Sequence, residues 1–258
     1  MSFKVVIPAR HGASRLPGKP LLDIGGRPMI QWVIEAALRS HAEEVLVATD
    51  DQRIADAACD PRRSGGSLAI MTRADHASGT DRIAEVAAAR HWSLRTIVVN
   101  LQGDEPQMPS LLIDQVADLL AEHPSADIAT LCTPITTMQE FLDPNVVKVV
   151  AARDGMALYF SRAPIPWHRD GAKEGIATQT SFLGARRHLG IYAYRVASLQ
   201  RLTVLPPSDL ETTEKLEQLR ALQSGMRIAV GIAAETPPAG VDTQQDLSRV
   251  REALRRPG

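Results

Sequence analysis

Three cations fall within ten residues near the start of the chain: Arg10, Arg15 and Lys19, in the stretch Pro8-Ala9-Arg10-His11-Gly12-Ala13-Ser14-Arg15-Leu16-Pro17-Gly18-Lys19-Pro20. The stretch leaves a short β-branched run, Phe3 to Ile7, with the character of a buried strand. In open α/β sheets, ligands bind outside the carboxyl ends of the strands. Gly12 and Gly18 let main-chain N–H groups come close to a ligand. Cations and open backbone at a strand end suit a polyphosphate, whereas a basic loop elsewhere is a solvated surface. Neither the P-loop pattern nor G-x-G-x-x-G is present, which disfavours a nicotinamide oxidoreductase.

Two aspartates fall at comparable places. Gln102-Gly103-Asp104 follows the most apolar run, Thr96 to Leu101, and Gly103 permits a sharp turn. Asp242 lies in Gly240-Val241-Asp242, after the last strand-like segment. Mg²⁺ takes hard oxygen ligands, commonly one or two carboxylates completed by substrate phosphates and water. Two aspartates at two strand ends fit that pattern. The same residues also read as a turn residue (Asp104) and as the N-cap of a helix over 245–254 (Asp242). Ser78-Gly79 reads as a helix start ahead of Ile83 to Ala89. His188 and Tyr192, four apart in a strand, share a face, as ligands or as packed residues. On a helix over 211–224, Glu214, Glu217 and Gln218 oppose Leu216, Leu219 and Leu222, forming a solvated face or a pocket wall.

The elements that must position these groups alternate. Strand-like runs at Phe3–Ile7, Val45–Thr49, Leu68–Met71, Thr96–Leu101 and Ile128–Leu131 are separated by helical patterns at Met29–Leu38, around Ile54–Ala58, at Ile83–Ala89 and at Leu111–Leu120. This is the signature of βαβ units, hence an α/β fold whose mostly parallel sheet has helices on both faces. Beyond residue 134 the alternation loosens. Val146–Ala151, Ala157–Phe160, Leu189–Arg195 and Ile228–Ile232 read as strands, and Gln245–Leu254 as a final helix. The Gly- and Pro-rich polar stretch over 163–185 reads as a lid, a dimer arm or an inserted loop. The whole, 1–258, is expected to be one domain with a more irregular, smaller α+β second part.

Composition sets limits. With 29 Lys plus Arg against 30 Asp plus Glu, the 258-residue chain has a formal charge of -1 and lacks the basic excess of a nucleic-acid binder. Aromatics at 4% leave few platforms for stacking on bases. Cys59 and Cys132 make neither a disulfide framework nor a zinc pattern and read as free thiols in a reducing compartment. No apolar run reaches the roughly 20 residues of a membrane span, and the N-terminal run is too short for a signal peptide. A cytoplasmic protein without membrane or nucleic-acid partners is expected.

The stretch Ile7-Pro8-Ala9-Arg10 through Ser14-Arg15-Leu16-Pro17-Gly18-Lys19-Pro20-Leu21 resembles the opening motif of the sugar nucleotidyltransferases. Further landmarks narrow the resemblance to the 3-deoxy-manno-octulosonate (KDO) cytidylyltransferases. These are Ala48-Thr49-Asp50-Asp51, Ser78-Gly79-Thr80-Asp81-Arg82, Asn100-Leu101-Gln102-Gly103-Asp104-Glu105-Pro106 and Asp143-Pro144-Asn145-Val146-Val147-Lys148. Tyr159-Phe160-Ser161-Arg162, His188-Leu189-Gly190-Ile191-Tyr192, Glu214-Lys215-Leu216-Glu217-Gln218 and Gly240-Val241-Asp242-Thr243 complete the series along nearly the whole chain. The pattern is left at Cys59–Ser67, a longer loop, and at Pro237–Gly240, with one extra residue close to Asp242.

The resemblance implies a Rossmann-like nucleotidyltransferase sheet, with residues 1–134 mainly for CTP and 135–258 mainly for the sugar and for dimerisation. It implies the substrates CTP and KDO, the cofactor Mg²⁺ and a homodimer. Catalysis would rest on Arg10, Lys19, Asp104 and Asp242, the two aspartates holding the metal. The nucleotide would be bound by Ala9, Arg10, Lys19, Arg73, Ser78, Gly79 and Gln102. The sugar acid would be bound by Arg15, Gln102, Arg162, His188, Tyr192, Glu217 and Gln218. Cytidylyltransferases for an 8-amino KDO analogue or for sialate, and a non-catalytic nucleotide-binding module, are the alternatives.

Overall fold

The computed structural model describes residues 2–12, 16–60, 66–171 and 174–254. Short β-branched runs and longer amphipathic ones segregate as their periods require. The strands are β1 (Lys4–Ala9), β2 (Asp23–Ile24), β3 (Arg27–Pro28), β4 (Glu44–Thr49), β5 (Ala69–Met71) and β6 (Ile97–Asn100). They continue with β7 (Ile128–Pro134), β8 (Lys148–Ala151), β9 (Ala157–Ser161), β10 (Arg186–Arg195) and β11 (Ile228–Ile232). The helices are α1 (Met29–Arg39), α2 (Gln52–Ala57), α3 (Gly79–Ala89), α4 (Ser110–Glu122) and α5 (Met138–Leu142). After them come α6 (Val196–Thr203), α7 (Asp209–Glu214), α8 (Gln218–Gln223) and α9 (Gln244–Leu254).

Seven strands form the main path of the sheet, in the order β11-β7-β10-β6-β1-β4-β5. Strand β1 is central and pairs in parallel with both β4 and β6. Side chains alternate across it with the two-residue period of a strand. Val5 and Ile7 pack on one face with Ile30, Val33 and Ile34 of α1 and Leu112, Ile113 and Val116 of α4. Val6 packs on the other face with Ile83 and Val86 of α3, Leu199 and Leu202 of α6 and Leu219 of α8. Helices therefore cover both faces. Each such buried aliphatic side chain contributes about 1.5–3 kcal/mol. A two-stranded antiparallel sheet, β2–β3, stands apart from the main one. Its Ile24 packs with Met29 of α1, Val241 and Leu247 and Val250 of α9.

Strand direction is where the sheet departs from simple alternation. Strand β10 runs antiparallel between β6 and β7, so the second half of the chain is threaded into the middle of the sheet. Its pairing with β7 slips between Leu189 and Tyr192, which face Leu131 and Thr130. Thr130 holds this irregularity together. Its Oγ1 lies 2.7 Å from the Ile191 carbonyl, 3.1 Å from the Leu189 carbonyl and 2.9 Å from His188 Nε2. The single hydroxyl proton serves the carbonyls, so the oxygen accepts from a neutral His188 Nε2–H. A partly exposed edge remains on His188, yet its ring sits deep enough that burial pushes its pKa down to about 3.

The helix expected over 211–224 is not continuous. It is broken into α7 and α8 by Lys215, whose φ of 55° is left-handed. The 163–185 stretch contains two 3₁₀ turns, Arg169–Gly171 and Ile176–Thr178, around residues outside the described set.

Two outcomes follow from the Thr130–His188 pair. Thr130→Val keeps the shape and leaves buried carbonyls without the hydroxyl, so chemical denaturation should show a loss of about 1–3 kcal/mol. Between pH 6.5 and 3 the unfolded chain protonates His188 while the native state does not, so stability falls as pH falls. Replacing it by Asn should flatten the pH dependence of unfolding in that window, by up to about 1.4 kcal/mol per pH unit.

Candidate active site

A cavity of about 370 Å³ opens where β1 and β6 end, lined by Pro8, Ala9 and Arg10 on one side and Gln102, Gly103 and Asp104 on the other. Lys19, Ser78, Gly79, Arg82 and Asp242 also line it, together with Leu16, Pro20 and His76. The parallel sheet dictates this place, because β1 and β6 deliver their following loops to one edge. Gly103 is needed there for closeness rather than for turn geometry. A Cβ on it would stand 3.1 Å from the Pro8 carbonyl oxygen.

The two aspartates meet through Lys19. Its Nζ lies 2.7 Å from Asp104 Oδ2 and 3.0 Å from Asp242 Oδ1, with the lysine side chain 11% exposed. Burial works against the ammonium, but the two carboxylates outweigh it and raise the lysine pKa. The loops are also joined through the main chain, the Val241 N–H donating to the Asp104 carbonyl at 2.9 Å. Val241 is fully buried beside Ile24 and Leu247, which anchors Asp242 from the other side. Gly240 crosses directly over Glu105, where a Cβ would come within 2.7 Å of Oε1. The Glu105 carboxyl is pushed up to about 8 by its burial and then by the nearby Asp104 and Asp242 charges.

Asp242 does not cap α9. Thr243 does, its Oγ1 accepting from the Asp246 N–H at 3.2 Å while Asp246 accepts from the Thr243 N–H at 2.9 Å. The Asp242 carboxylate is thereby left for the cavity, and the extra residue of the Pro237–Gly240 stretch does not displace it.

The third wall is the start of α3. Ser78 and Asp81 form a capping box, the Asp81 N–H donating to Ser78 Oγ at 3.2 Å and the Ser78 N–H to Asp81 Oδ2 at 2.9 Å. A helix N-terminus carries partial positive charge, so α3 adds a backbone dipole favourable to an anion. Arg82, one turn into the helix, is a site residue that the sequence reading passed over. It is 3% exposed, bonds Asp50 Oδ2 at 3.1 Å and the Arg73 carbonyl at 3.2 Å, and also bonds Thr72. Its position four after the Ser78 cap was the available signal. Arg73 itself turns away from the cavity and pairs with Asp75 at 2.9 and 2.7 Å in a neighbouring groove. Arg15 lies outside the described residues.

The five other residues assigned to the sugar do not line this cavity, and of them Glu217 reaches the α3 wall. The rings of Phe160, His188, Tyr192 and Tyr194 follow one another at 4.9, 5.3 and 5.9 Å between centroids. Glu217 accepts from Ser78 Oγ and Thr80 Oγ1, both at 3.0 Å, and its burial raises its pKa despite those donors. Gln218 is buried at the start of α8. Arg162 is held by its backbone and side chain. Its N–H donates to Glu214 Oε2 at 2.9 Å, its Nε to the Glu214 carbonyl at 2.6 Å and its Nη1 to the Pro144 carbonyl at 3.0 Å.

Among the described residues no group of three or more His, Cys, Asp or Glu side chains forms a metal cage. Asp104 and Asp242, aimed at a single ammonium, instead offer two hard oxygen donors at one point. That set fits Mg²⁺ completed by substrate phosphates and water.

A family model described as cytidylyltransferase matches residues 4–228. The chain is 53% identical over 255 residues to a 3-deoxy-manno-octulosonate cytidylyltransferase of Thioalkalivibrio sulfidiphilus, covering 99% of this chain and 100% of that one. It is 54% identical over 256 residues to the protein of the same name from Nitrosococcus oceani, covering 98% and 97%. A solved structure of CMP:2-keto-3-deoxy-manno-octonic acid synthetase complexed with CTP superposes with a TM-score of 0.84 at 44% identity, covering 98% of each chain. With the family model over residues 4–228 and relatives 53–54% identical along nearly its whole length, the chain belongs to the 3-deoxy-manno-octulosonate cytidylyltransferase family.

Proposed function

We propose that this protein transfers the cytidylyl group of CTP to the anomeric hydroxyl of KDO, releasing pyrophosphate and forming CMP-KDO. The observation that carries the reading is the convergence of Arg10, Lys19, Asp104 and Asp242 on one cavity beside the α3 N-terminus. The hydroxyl oxygen attacks the α-phosphorus in line as the bond to the pyrophosphate oxygen breaks. Such transfer depends mainly on positioning and on electrostatic stabilisation. Arg10 and Lys19 bring cations to the phosphate oxygens where charge accumulates. The Ser78–Gly79 turn and α3 present backbone donors to the nucleotide, with Arg82 and Ala9 closing the same wall. Asp104 and Asp242 would hold Mg²⁺, which when bound neutralises phosphate charge and lowers the pKa of a coordinated hydroxyl.

On the sugar side, Gln102 faces the cavity, and Arg162, His188, Tyr192, Glu217 and Gln218 supply forked, ring and amide groups suited to a polyhydroxy carboxylate. Arg15 is assigned to the same acid. In this reading residues 1–134 serve mainly the nucleotide and residues 135–258 mainly the sugar, with Arg15 and Gln102 reaching across.

A homodimer is part of the reading. Leu158 on β9 and Ile176 and Leu183 in the 163–185 stretch are 63%, 54% and 74% exposed, apolar side chains that a second copy of the chain would cover. We place the enzyme in the cytoplasm, activating KDO for lipopolysaccharide. Cys59 and Cys132 are free, which suits a reducing compartment, and no helix among the described residues is long and apolar enough to cross a membrane.

Purified protein with Mg²⁺, CTP and KDO should release pyrophosphate, and UTP or ATP in place of CTP should not support it. Asp104→Ala should lower turnover by about 10²-fold or more. Release with sialate or an amino analogue and none with KDO would move the substrate assignment, and CTP binding without release in any mixture would leave a binding module. The wild type should elute near twice its 28.0 kDa chain mass, and Leu158→Asp with Leu183→Asp should shift it to the monomer position.

A further inference from the structure

The Lys19 ammonium occupies the ground that a metal ion would contest. Its partners, Asp104 Oδ2 at 2.7 Å and Asp242 Oδ1 at 3.0 Å, are the carboxylates assigned to Mg²⁺. The main chain of Lys19 is fixed by a 3₁₀ turn, its N–H bonding the Leu16 carbonyl at 3.1 Å and Leu21 N–H bonding the Gly18 carbonyl at 2.8 Å. The side chain therefore reaches the two loops from a rigid base. Asp104 and Asp242 come from distant parts of the chain, and without a cation between them their like charges repel at short range. A divalent ion needs the same lone pairs at about 2.1 Å, and a second cation in that space is repelled before salt can screen it.

We propose that Lys19 is a positioning residue for the metal site: its ammonium holds Asp104 and Asp242 together ahead of the divalent ion and yields them to it when the nucleotide phosphates offer the ammonium a new partner. The proposal rests on the assignment of Asp104 and Asp242 to Mg²⁺. Lysine and metal then compete when alone and cooperate once CTP is bound. By linkage, CTP strengthens metal binding by the same factor as the metal strengthens CTP binding.

The test uses the full chain, freed of metal by chelation and titrated with Mn²⁺, with free Mn²⁺ followed by electron paramagnetic resonance. Wild type should bind Mn²⁺ weakly alone and more tightly with CTP. Lys19→Met, which keeps the aliphatic stem and loses the charge, should bind Mn²⁺ without CTP about tenfold more tightly than wild type, and CTP should tighten it less. Equal or weaker Mn²⁺ binding by Lys19→Met without CTP would overturn the proposal while leaving the metal assignment standing. Absence of Mn²⁺ binding in every form, with and without CTP, would overturn the assignment and the proposal together. A second measurement needs no variant: saturating Mn²⁺ should increase acylation of Lys19 by an N-hydroxysuccinimide ester in the wild type, read by mass spectrometry. Unchanged labelling would overturn the exchange.

Discussion

Opposite charge drawn into a small space is the constraint on which this site depends. Two carboxylates are brought to one cavity from positions 104 and 242, and neither loop is stiff by composition. The ammonium of Lys19 closes the triangle at 2.7 and 3.0 Å. The surrounding packing is arranged to make that meeting inevitable. Gly103 lies against the end of β1, Gly240 lies over Glu105, and Val241 is locked into the small core around Ile24, Leu247 and Val250. Each contact removes conformational freedom from an acidic loop before any ligand arrives, so less entropy is lost on binding.

The sheet supplies the second requirement. Its parallel strands β1, β4 and β6 end at one edge, which puts the basic loop and the Gln102–Asp104 turn side by side. The antiparallel β10 then carries His188, Tyr192 and Tyr194 into the same neighbourhood from the opposite direction. A nucleotide side and a sugar side thus share one sheet, in which β10 separates two strands from the first half of the chain, β6 and β7. Both neighbours run antiparallel to β10, and the pairing slip that Thr130 stabilises lies on its β7 side.

Glu217 joins the two sides. It lies between α7 and α8 in the second half of the chain, yet its carboxylate is held by Ser78 and Thr80 at the start of α3. Glu214, three residues earlier, is pulled the other way, towards Ser161 and the Arg162 N–H. Two carboxylates with partners on different elements cannot both be satisfied from one straight helix. The left-handed Lys215 is the local cost of satisfying them.

The sequence by itself determined the elements and the site's ingredients. Hydrophobic period distinguished the strand at Phe3–Ile7 from the helix at Met29–Leu38, and Ser78 marked the start of α3, because these signals are local. The resemblance of its motifs placed Arg10, Lys19, Asp104 and Asp242 in one functional group. Only the tertiary structure decided that β10 runs antiparallel, that Arg82 rather than Arg73 faces the cavity, that Thr243 caps α9 and leaves Asp242 available, and that the 211–224 helix breaks. Arg82 and Glu217 are settled by partners far away in sequence, Asp50 for the first and Ser78 and Thr80 for the second, whereas the Thr243 cap is a local contact with Asp246. A local pattern of Leu216, Leu219 and Leu222 holds no record of such partners. The free energy of long-range hydrogen bonds and ion pairs then overrides helix propensities worth only tenths of a kcal/mol per residue, roughly.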